Sequence, residues 1–261
     1  MKIDANPHLT HRARQILCGL FLSKFDQEGL KYLGFDSFAE AFNVLGYSLQ
    51  AKPASIKNYR DELDPYFPNA RMGWRKRPLR EHCQSILEAY SHVELLELGE
   101  LIKGFLLPVV EAESIPEVKR VLDLQHPEPS TSFAKRLITG KAAEQYFLAH
   151  YSGMMEFAES TVTDTTAWGC GFDFKVMRPQ CDSFSAVEVK GLSAMCGQIQ
   201  MTELEFAMAE ALQDRYYLVL VRNFVETPFH NVIINPVKSS IQFTKVERKE
   251  IRLSWNANIV E

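Results

Sequence analysis

The sequence lacks the features that mark membrane, secreted and zinc-ribbon proteins. No apolar run approaches the roughly 18 residues that a membrane helix needs. Residues 1–7 contain no apolar stretch of the kind found in signal peptides. The five cysteines lie far apart with no CxxC pair, which argues against a structural zinc site. We therefore expect a cytoplasmic protein that has no contact with a membrane.

Several well-known catalytic signatures are missing as well. There is no glycine-rich phosphate loop and no GxSxG nucleophile elbow. His150 has no second residue at metal-ligand spacing, and the spacing indicates no histidine partner for Cys170 or Cys196. Serine and cysteine nucleophiles and a phosphate-binding loop are therefore not indicated.

Basic residues are concentrated in one segment, although the 261-residue chain as a whole carries a net charge of −4. Residues 51–80 contain eight Lys or Arg and three acidic residues, a local excess of five positive charges. The basic residues are Lys52, Lys57, Arg60, Arg71, Arg75, Lys76, Arg77 and Arg80. A patch of this kind attracts phosphate groups while the rest of the protein stays acidic, which favours a nucleic acid as partner.

The sequence pattern changes at residues 126–131, where two prolines and a Ser-Thr pair form a strong break. We predict a helical domain over residues 1–125 and a second domain over 126–261. Helical periodicity in the second domain covers 133–151 and 202–213, and strand patterns cover 159–163, 171–177, 184–190, 215–222 and 230–235. This order predicts an α/β (α+β) fold with a mixed sheet flanked by helices.

One predicted strand carries charged residues among apolar ones. Side chains alternate between the two faces of a strand, so Glu188 and Lys190 share one face while Val187 and Val189 point into a core. Alternating charge on a strand is also typical of a solvated face, and this alternative stays open at the level of sequence.

A second acidic residue is expected to join this strand through a hairpin. Segments 171–177 and 184–190 are separated by a turn, so pairing them brings Asp173 close to Glu188. Two carboxylates held on stiff strands suit Mg²⁺ (or Mn²⁺), which prefers hard oxygen ligands. Lys190 beside them can orient a nucleophilic water and offset developing negative charge.

Glu144 is a third candidate carboxylate. It lies in the middle of the predicted 133–151 helix among small residues, which allow the helix to pack closely on the sheet. The predicted catalytic residues are Asp173, Glu188, Lys190 and Glu144. The predicted metal ligands are Asp173, Glu188, Val189 and Glu144.

The order of these motifs resembles the PD-(D/E)xK nuclease superfamily, and more closely the C-terminal domain of the plant protein NO VEIN, also found in bacterial defence proteins. In that family a helical Glu precedes Gly-x-Asp, Glu-Val-Lys-Gly, Thr-x-x-Glu-x-x-x-Ala and a Tyr-x-Leu strand. The matching residues here are Glu144, Gly171-Phe172-Asp173, Glu188-Val189-Lys190-Gly191, Thr202 with Glu205 and Ala209, Tyr216-Tyr217-Leu218, and Asn235-Pro236. Phe172 stands where the superfamily name has proline.

The resemblance implies a restriction-endonuclease-like core in which Asp173, Glu188 and Lys190 bind metal and catalyse, with Glu144 as an auxiliary acid. It implies a Mg²⁺-dependent endonuclease that hydrolyses DNA, in a restriction or phage-defence setting, acting as a homodimer or with partner defence proteins. The alternatives left open are a non-catalytic DNA-binding or regulatory protein, a protein-interaction module and an RNA nuclease.

The N-terminal region resembles a helix–turn–helix-like module. Residues 38–46 predict one helix that ends at Gly46, and Pro53 begins a second, short helix. The residues predicted to face DNA from the second helix are Ser55, Lys57, Asn58 and Arg60. The residues predicted to contact the DNA backbone are Arg71, Arg75, Lys76 and Arg77, with Trp74 packed under them or stacked on a base. The alternative is a helical bundle with a solvated basic loop.

Overall fold

The computed structural model describes residues 9–71, 73–74, 76–107, 130–179 and 181–246. The predicted domain boundary and Arg75 lie outside the described residues. The N-terminal part is helical, as predicted, with helices α1 His11–Lys24, α2 Asp26–Leu33, α3 Phe38–Ser48, α4 Pro53–Leu63, α5 Glu81–Tyr90 and α6 Leu95–Leu106.

Side-chain caps and a proline set where these helices begin. The hydroxyl of Thr10 accepts a hydrogen bond from the Ala13 amide before α1, and Ser37 accepts one from the Glu40 amide before α3. Pro53 occupies the first turn of α4, where its missing N–H leaves no helical hydrogen bond unmade.

Gly46 does not end α3, contrary to the prediction, because the helix continues to Ser48. The glycine is needed for close packing instead. A Cβ atom at Gly46 would lie 2.8 Å from the Cα atom of Pro53 at the start of α4. The absence of a side chain therefore lets α3 and α4 approach each other closely.

The second part of the chain forms the predicted mixed sheet. Its five strands are β1 Thr161–Asp164, β2 Phe174–Met177, β3 Ser185–Gly191, β4 Tyr216–Arg222 and β5 Phe229–Ile234, in the order β1-β2-β3-β4-β5. Neighbouring strands are antiparallel except β3 and β4, which are parallel. A parallel pair needs a long crossover, and helix α8 Glu203–Leu212 supplies it. Helix α7 Ser130–His150 precedes the sheet.

The two helices of this part cover opposite faces of the sheet. Val187 and Val189 belong to the large hydrophobic core together with Phe147 of α7. Ala186, whose side chain points the other way, packs in a smaller cluster with Ala209 of α8. The alternation along β3 thus places apolar residues on both faces, which confirms a sheet flanked by helices.

Polar contacts attach the N-terminal helices to the second part of the chain. Ser48 donates a hydrogen bond of 3.1 Å to the carbonyl of Ile138 in α7. The side-chain amide of Asn43 donates hydrogen bonds to the backbone carbonyls of Phe224 and Glu226, at 2.8 Å each. One hydrophobic core runs through both parts. Within the described parts of the chain, no helix is both long and apolar enough to span a membrane.

Candidate active site

Asp173 lies immediately before β2 and is fixed to β3 by two hydrogen bonds. Its backbone N–H donates to the carbonyl of Val187 at 3.0 Å. Its Oδ2 atom accepts from the backbone N–H of Val189 at 2.8 Å. Because Phe174 pairs with Val187 in the antiparallel hairpin, Asp173 lies opposite Glu188 one step further on. The predicted hairpin therefore brings the two carboxylates together.

Glu188 and Lys190 lie on the same face of β3, and this face is not solvated. Glu188 is only 3% exposed, which excludes the alternative of an ordinary water-facing strand. The Lys190 amine lies 2.5 Å from the Oε1 atom of Glu188 and 2.8 Å from the Oε2 atom of Glu205. A buried charge needs such partners, because leaving it unpaired in a region of low dielectric is costly.

Val189 points away from the carboxylates, into the hydrophobic core. Its side chain has no ligand atom, so only its backbone can take part in the predicted metal site. The backbone N–H already holds Asp173 in place. Val189 thus serves the site as a fixed point of the strand.

Glu205 is a member of the site that the sequence did not identify as such. Glu205 forms a capping box with Thr202 at the start of α8. The Thr202 hydroxyl accepts from the Glu205 amide at 3.2 Å, and the Glu205 carboxylate accepts from the Thr202 amide at 3.0 Å. The same Glu205 oxygen accepts from Lys190. The one feature of the sequence that could have identified Glu205 as part of the site is its position in the first turn of the helix that follows β3.

The acidic groups of the site are removed from water and lie close enough together to shift one another's pKa. Burial, reinforced by the charge of Asp173, raises the pKa of Glu188 well above its ordinary value. Burial also raises the pKa of Asp173, against the hydrogen bond from Val189. Burial followed by the charges of Asp173 and Asp164 raises the pKa of Glu144 to about 7. Helix α7 therefore brings Glu144 within electrostatic reach of Asp173.

Lys190 is the positive group that faces these acids. Burial acts to lower its pKa, but the ion pairs with Glu188 and Glu205 outweigh burial and raise the pKa above the ordinary value. The amine is therefore charged at neutral pH. An ammonium held between two carboxylates has a defined position from which to contact an anion.

The carboxylate oxygens of this site are the type of ligand that a hard divalent cation prefers, but the side chains alone do not complete its coordination. Asp173 and Glu188 offer carboxylate oxygens on adjacent strands, and Mg²⁺ is commonly bound by one or two carboxylates and several waters. A cation there would relieve the repulsion between the acids. Among the described residues, no group of three or more His, Cys, Asp and Glu is arranged to hold a metal ion. Glu144 thus lies near the pair without joining it in one such group.

Part of the predicted DNA-facing surface is exposed. On α4, Lys57 and Asn58 are exposed and Ser55 is partly exposed. Lys57 forms an ion pair of 2.7 Å with Asp61 in the next helical turn.

The basic segment after α4 also presents cations to solvent. Lys76 and Arg77 are exposed, and Arg77 lies over the ring of Trp74 at 5.3 Å from its centroid. Both side chains are therefore accessible, and their contact with phosphates stays a prediction.

Arg60 is not on that surface, which corrects its predicted role. It is 8% exposed, and its guanidinium lies 4.9 Å from the ring centroids of both Phe38 and Phe42. It pairs with Asp61 at 2.5 Å. The helical position of Arg60 faces α3, so its charge is used inside the N-terminal helical part.

Arg71 is only partly exposed, and acids from two other segments pair with it. It forms an ion pair of 2.9 Å with the buried Asp64 and another with Asp26. These pairs raise the pKa of Arg71 despite the lowering effect of burial. The local charge excess seen in the sequence therefore overstates the number of free cations.

One protein family matches the part of the chain that contains the motifs of α7, the sheet and α8. Residues 143–234 match the family described as Protein NO VEIN, C-terminal. This range spans about a third of the chain and contains Glu144, Asp173, Glu188, Lys190 and Glu205. No curated protein and no solved structure matches significantly. From the second half of α7 to the end of β5, the chain is thus similar to the C-terminal domain of NO VEIN.

Proposed function

We propose that this chain is a metal-dependent nuclease of the PD-(D/E)xK type that hydrolyses phosphodiester bonds of DNA. The observation that carries the proposal is the pair formed by the partly buried Asp173 and the buried Glu188, with the charged Lys190 amine beside it. Carboxylates held close together in a largely enclosed position are typical of a functional site, because placing like charges side by side costs free energy on folding.

Asp173 and Glu188 would hold Mg²⁺ or Mn²⁺. When bound, such an ion polarises a phosphodiester and makes a bound water more acidic. Asp173 is suited to this task because its carboxylate is fixed to β3 through the Val189 N–H. The site is thus organised by the strand pairing before any substrate arrives.

Lys190 supplies the positive charge of the chain itself. Its amine can donate to a phosphate oxygen and offset the negative charge that develops as the phosphodiester is attacked. Glu205 fixes the amine from the side of α8. Glu144 adds a partly buried acid near Asp173.

The N-terminal helices supply the DNA-binding surface in this proposal. Lys57, Asn58, Lys76 and Arg77 are exposed near the helix–turn–helix-like pair α3 and α4. Lysine and arginine side chains of this kind bind phosphates by a salt-sensitive attraction. A restriction or phage-defence role, a cytoplasmic location, homodimeric action and defence partners belong to the same proposal.

The test is cleavage of plasmid and phage DNA by the purified chain, with Mg²⁺ and with EDTA. Cleavage is expected only with Mg²⁺, and Asp173→Asn and Lys190→Ala are expected to lower its rate by at least about 100-fold. Asp182→Asn is the matched control, because it makes the same chemical change on an exposed turn residue and should keep full activity.

Two results would contradict the proposal. Cleavage at the same rate in EDTA as in Mg²⁺ would show that the reaction does not need a metal ion. DNA binding by the intact chain without cleavage under any metal condition would support the non-catalytic DNA-binding alternative. A substrate panel that includes RNA separates the remaining alternative of an RNA nuclease.

A further inference from the structure

The segment between β1 and β2 is a short loop closed at Asp173. The backbone N–H of Thr165 donates to the carbonyl of Asp173 at 2.8 Å, and the Thr165 hydroxyl donates to the same carbonyl at 3.0 Å. Thr165 itself is 1% exposed. The base of the loop is therefore the same residue that carries one carboxylate of the proposed active site.

Trp168 is held on this loop within a short distance of Asp173 along the hydrogen bonds. Its backbone N–H donates to the carbonyl of Thr165 at 2.8 Å. Thr165 therefore links the two residues: its carbonyl accepts from the Trp168 amide, and its own amide donates to the Asp173 carbonyl. Thr166, between them in sequence, is fixed by hydrogen bonds of its amide and hydroxyl to Asp164.

The far side of the loop is anchored as well. The carbonyl of Gly171 accepts a hydrogen bond of 3.0 Å from the buried hydroxyl of Tyr216. Gly171 has a φ of 85°, and a Cβ atom there would lie 2.9 Å from the carbonyl oxygen of Leu204 in α8. The loop is thus packed against α8 and pinned to the sheet, so the position of Trp168 is defined by its surroundings.

The side chain of Trp168 is not used by this packing. Trp168 is 65% exposed. Within the described parts of the chain, its ring has no aromatic neighbour and no cation over its face. An exposed aromatic ring on a loop that is anchored at Asp173 has surface available to a ligand.

We propose that Trp168 is a stacking platform for an unpaired nucleobase beside the Asp173 site, so that the chain prefers DNA with unpaired bases next to the cut. The statement that a cut is made next to these bases rests on the proposed nuclease function. Bases in a duplex already stack on their neighbours, whereas a single strand, a flap or a frayed end offers free base faces to an aromatic side chain. Lys190 would contact the adjoining phosphate.

The test measures binding in EDTA, where the proposed reaction cannot proceed. Probes are a short single-stranded oligonucleotide and a blunt duplex of the same sequence. Trp168→Ala is expected to weaken single-strand binding by about 5- to 150-fold and to leave duplex binding nearly unchanged. Trp168→Phe, which keeps an aromatic face, should restore most of the affinity. Met155→Ala is the control, because Met155 is 91% exposed and does not lie on this loop.

Tryptophan fluorescence supplies a second signal. Single-stranded DNA should quench the wild-type emission, and Trp168→Phe should lose most of the quenching although Trp74 and Trp255 remain. Unchanged single-strand affinity in Trp168→Ala, or an equal loss of duplex and single-strand binding, would overturn the proposal.

The proposal and the nuclease function fail in distinguishable ways. If Asp173→Asn keeps the quenching and the single-strand preference while no variant cleaves DNA, the stacking role stands and the reaction does not. If cleavage is metal-dependent but Trp168→Ala cuts and binds single strands as well as the wild type, the reaction stands and the stacking role is wrong.

Discussion

Lys190 donates a hydrogen bond of 2.8 Å to the Oε2 atom of Glu205, and so joins the central strand β3 to the first turn of α8. The same oxygen accepts from the amide of Thr202, the cap residue of that helix. One carboxylate therefore serves both the helix start and the amine of the candidate site. If a cation occupies Glu188, Glu205 still holds the amine.

Replacement of Glu205 by glutamine is expected to lower the cleavage rate by about 10- to 100-fold, as for other residues that position metal-site groups. The loss of its charge also lowers the pKa of Lys190, so the alkaline limb of the pH–rate profile should move to lower pH. Glu205→Asp should recover part of the rate. The measurement is cleavage rate against pH.

Two controls separate positioning from helix stability. Thr202→Ala removes the cap hydroxyl but keeps the Lys190 partner, so it should cost about 0.5–2 kcal/mol of stability with little effect on the cleavage of folded protein. Glu203→Gln changes an exposed acid in the same turn and should have no effect. An unchanged pH profile in Glu205→Gln would exclude the positioning role.

Stability in EDTA should fall as pH rises above the ordinary pKa of Glu144. The pKa of Glu144 rises on folding from 4.5 to about 7, mainly through burial, so the folded state binds more protons than the unfolded state between these values. Since the excess protons are on the folded state, the free energy of unfolding decreases with pH across this window.

Melting temperatures of the wild type and Glu144→Gln, measured across the same window, test this dependence. The variant should lose part of the decline, because glutamine does not titrate. The exposed Glu203→Gln should behave as the wild type. Added Mg²⁺ should stabilise the wild type more at the alkaline end, where metal ligands are deprotonated. Identical slopes in the wild type and Glu144→Gln would contradict the prediction.

Gly46→Ala is expected to destabilise the protein, because the new Cβ atom would meet the Pro53 backbone at 2.8–2.9 Å and force α3 from α4. Overpacking of this kind costs roughly 1–3 kcal/mol. Gly104→Ala in α6 is the matched control, because it has no neighbour within 4 Å and should gain up to about 1 kcal/mol of helix propensity. Chemical denaturation of both variants measures the difference, and equal signs would refute this role of Gly46.

Lys76→Ala with Arg77→Ala should weaken duplex binding without lowering the melting temperature, because both side chains are exposed. Loss of two phosphate contacts should reduce the slope of log affinity against log salt by about 1.8. Arg60→Ala should instead lower the melting temperature without weakening duplex binding. It removes a buried guanidinium from its pair with the partly buried Asp61, and breaking a buried pair costs at most about 3–5 kcal/mol. Salt-dependent binding and thermal melts compare the variants. A stable Arg60→Ala that binds DNA poorly would restore Arg60 to the DNA surface.

The local pattern of the chain was sufficient to predict the sheet and the central carboxylate pair. The alternation around Glu188 and Lys190 set the faces of β3, and the turn before it placed Asp173 opposite Glu188. The cap at Thr202 was also predictable, since a capping box involves residues three apart. Each of these relations is set by backbone geometry over a few residues or by one tight turn.

Tertiary packing alone decided what the charged side chains do. Arg60 and Arg71 look alike in sequence to Lys76 and Arg77, yet the first two are neutralised by acids and rings and the last two face solvent. Likewise, Glu205 reaches Lys190 only because α8 packs beside β3. The physical reason is that the cost of burying a charge depends on partners that come from distant segments of the chain. The spacing of residues within one helix or strand does not predict which distant residues those partners are.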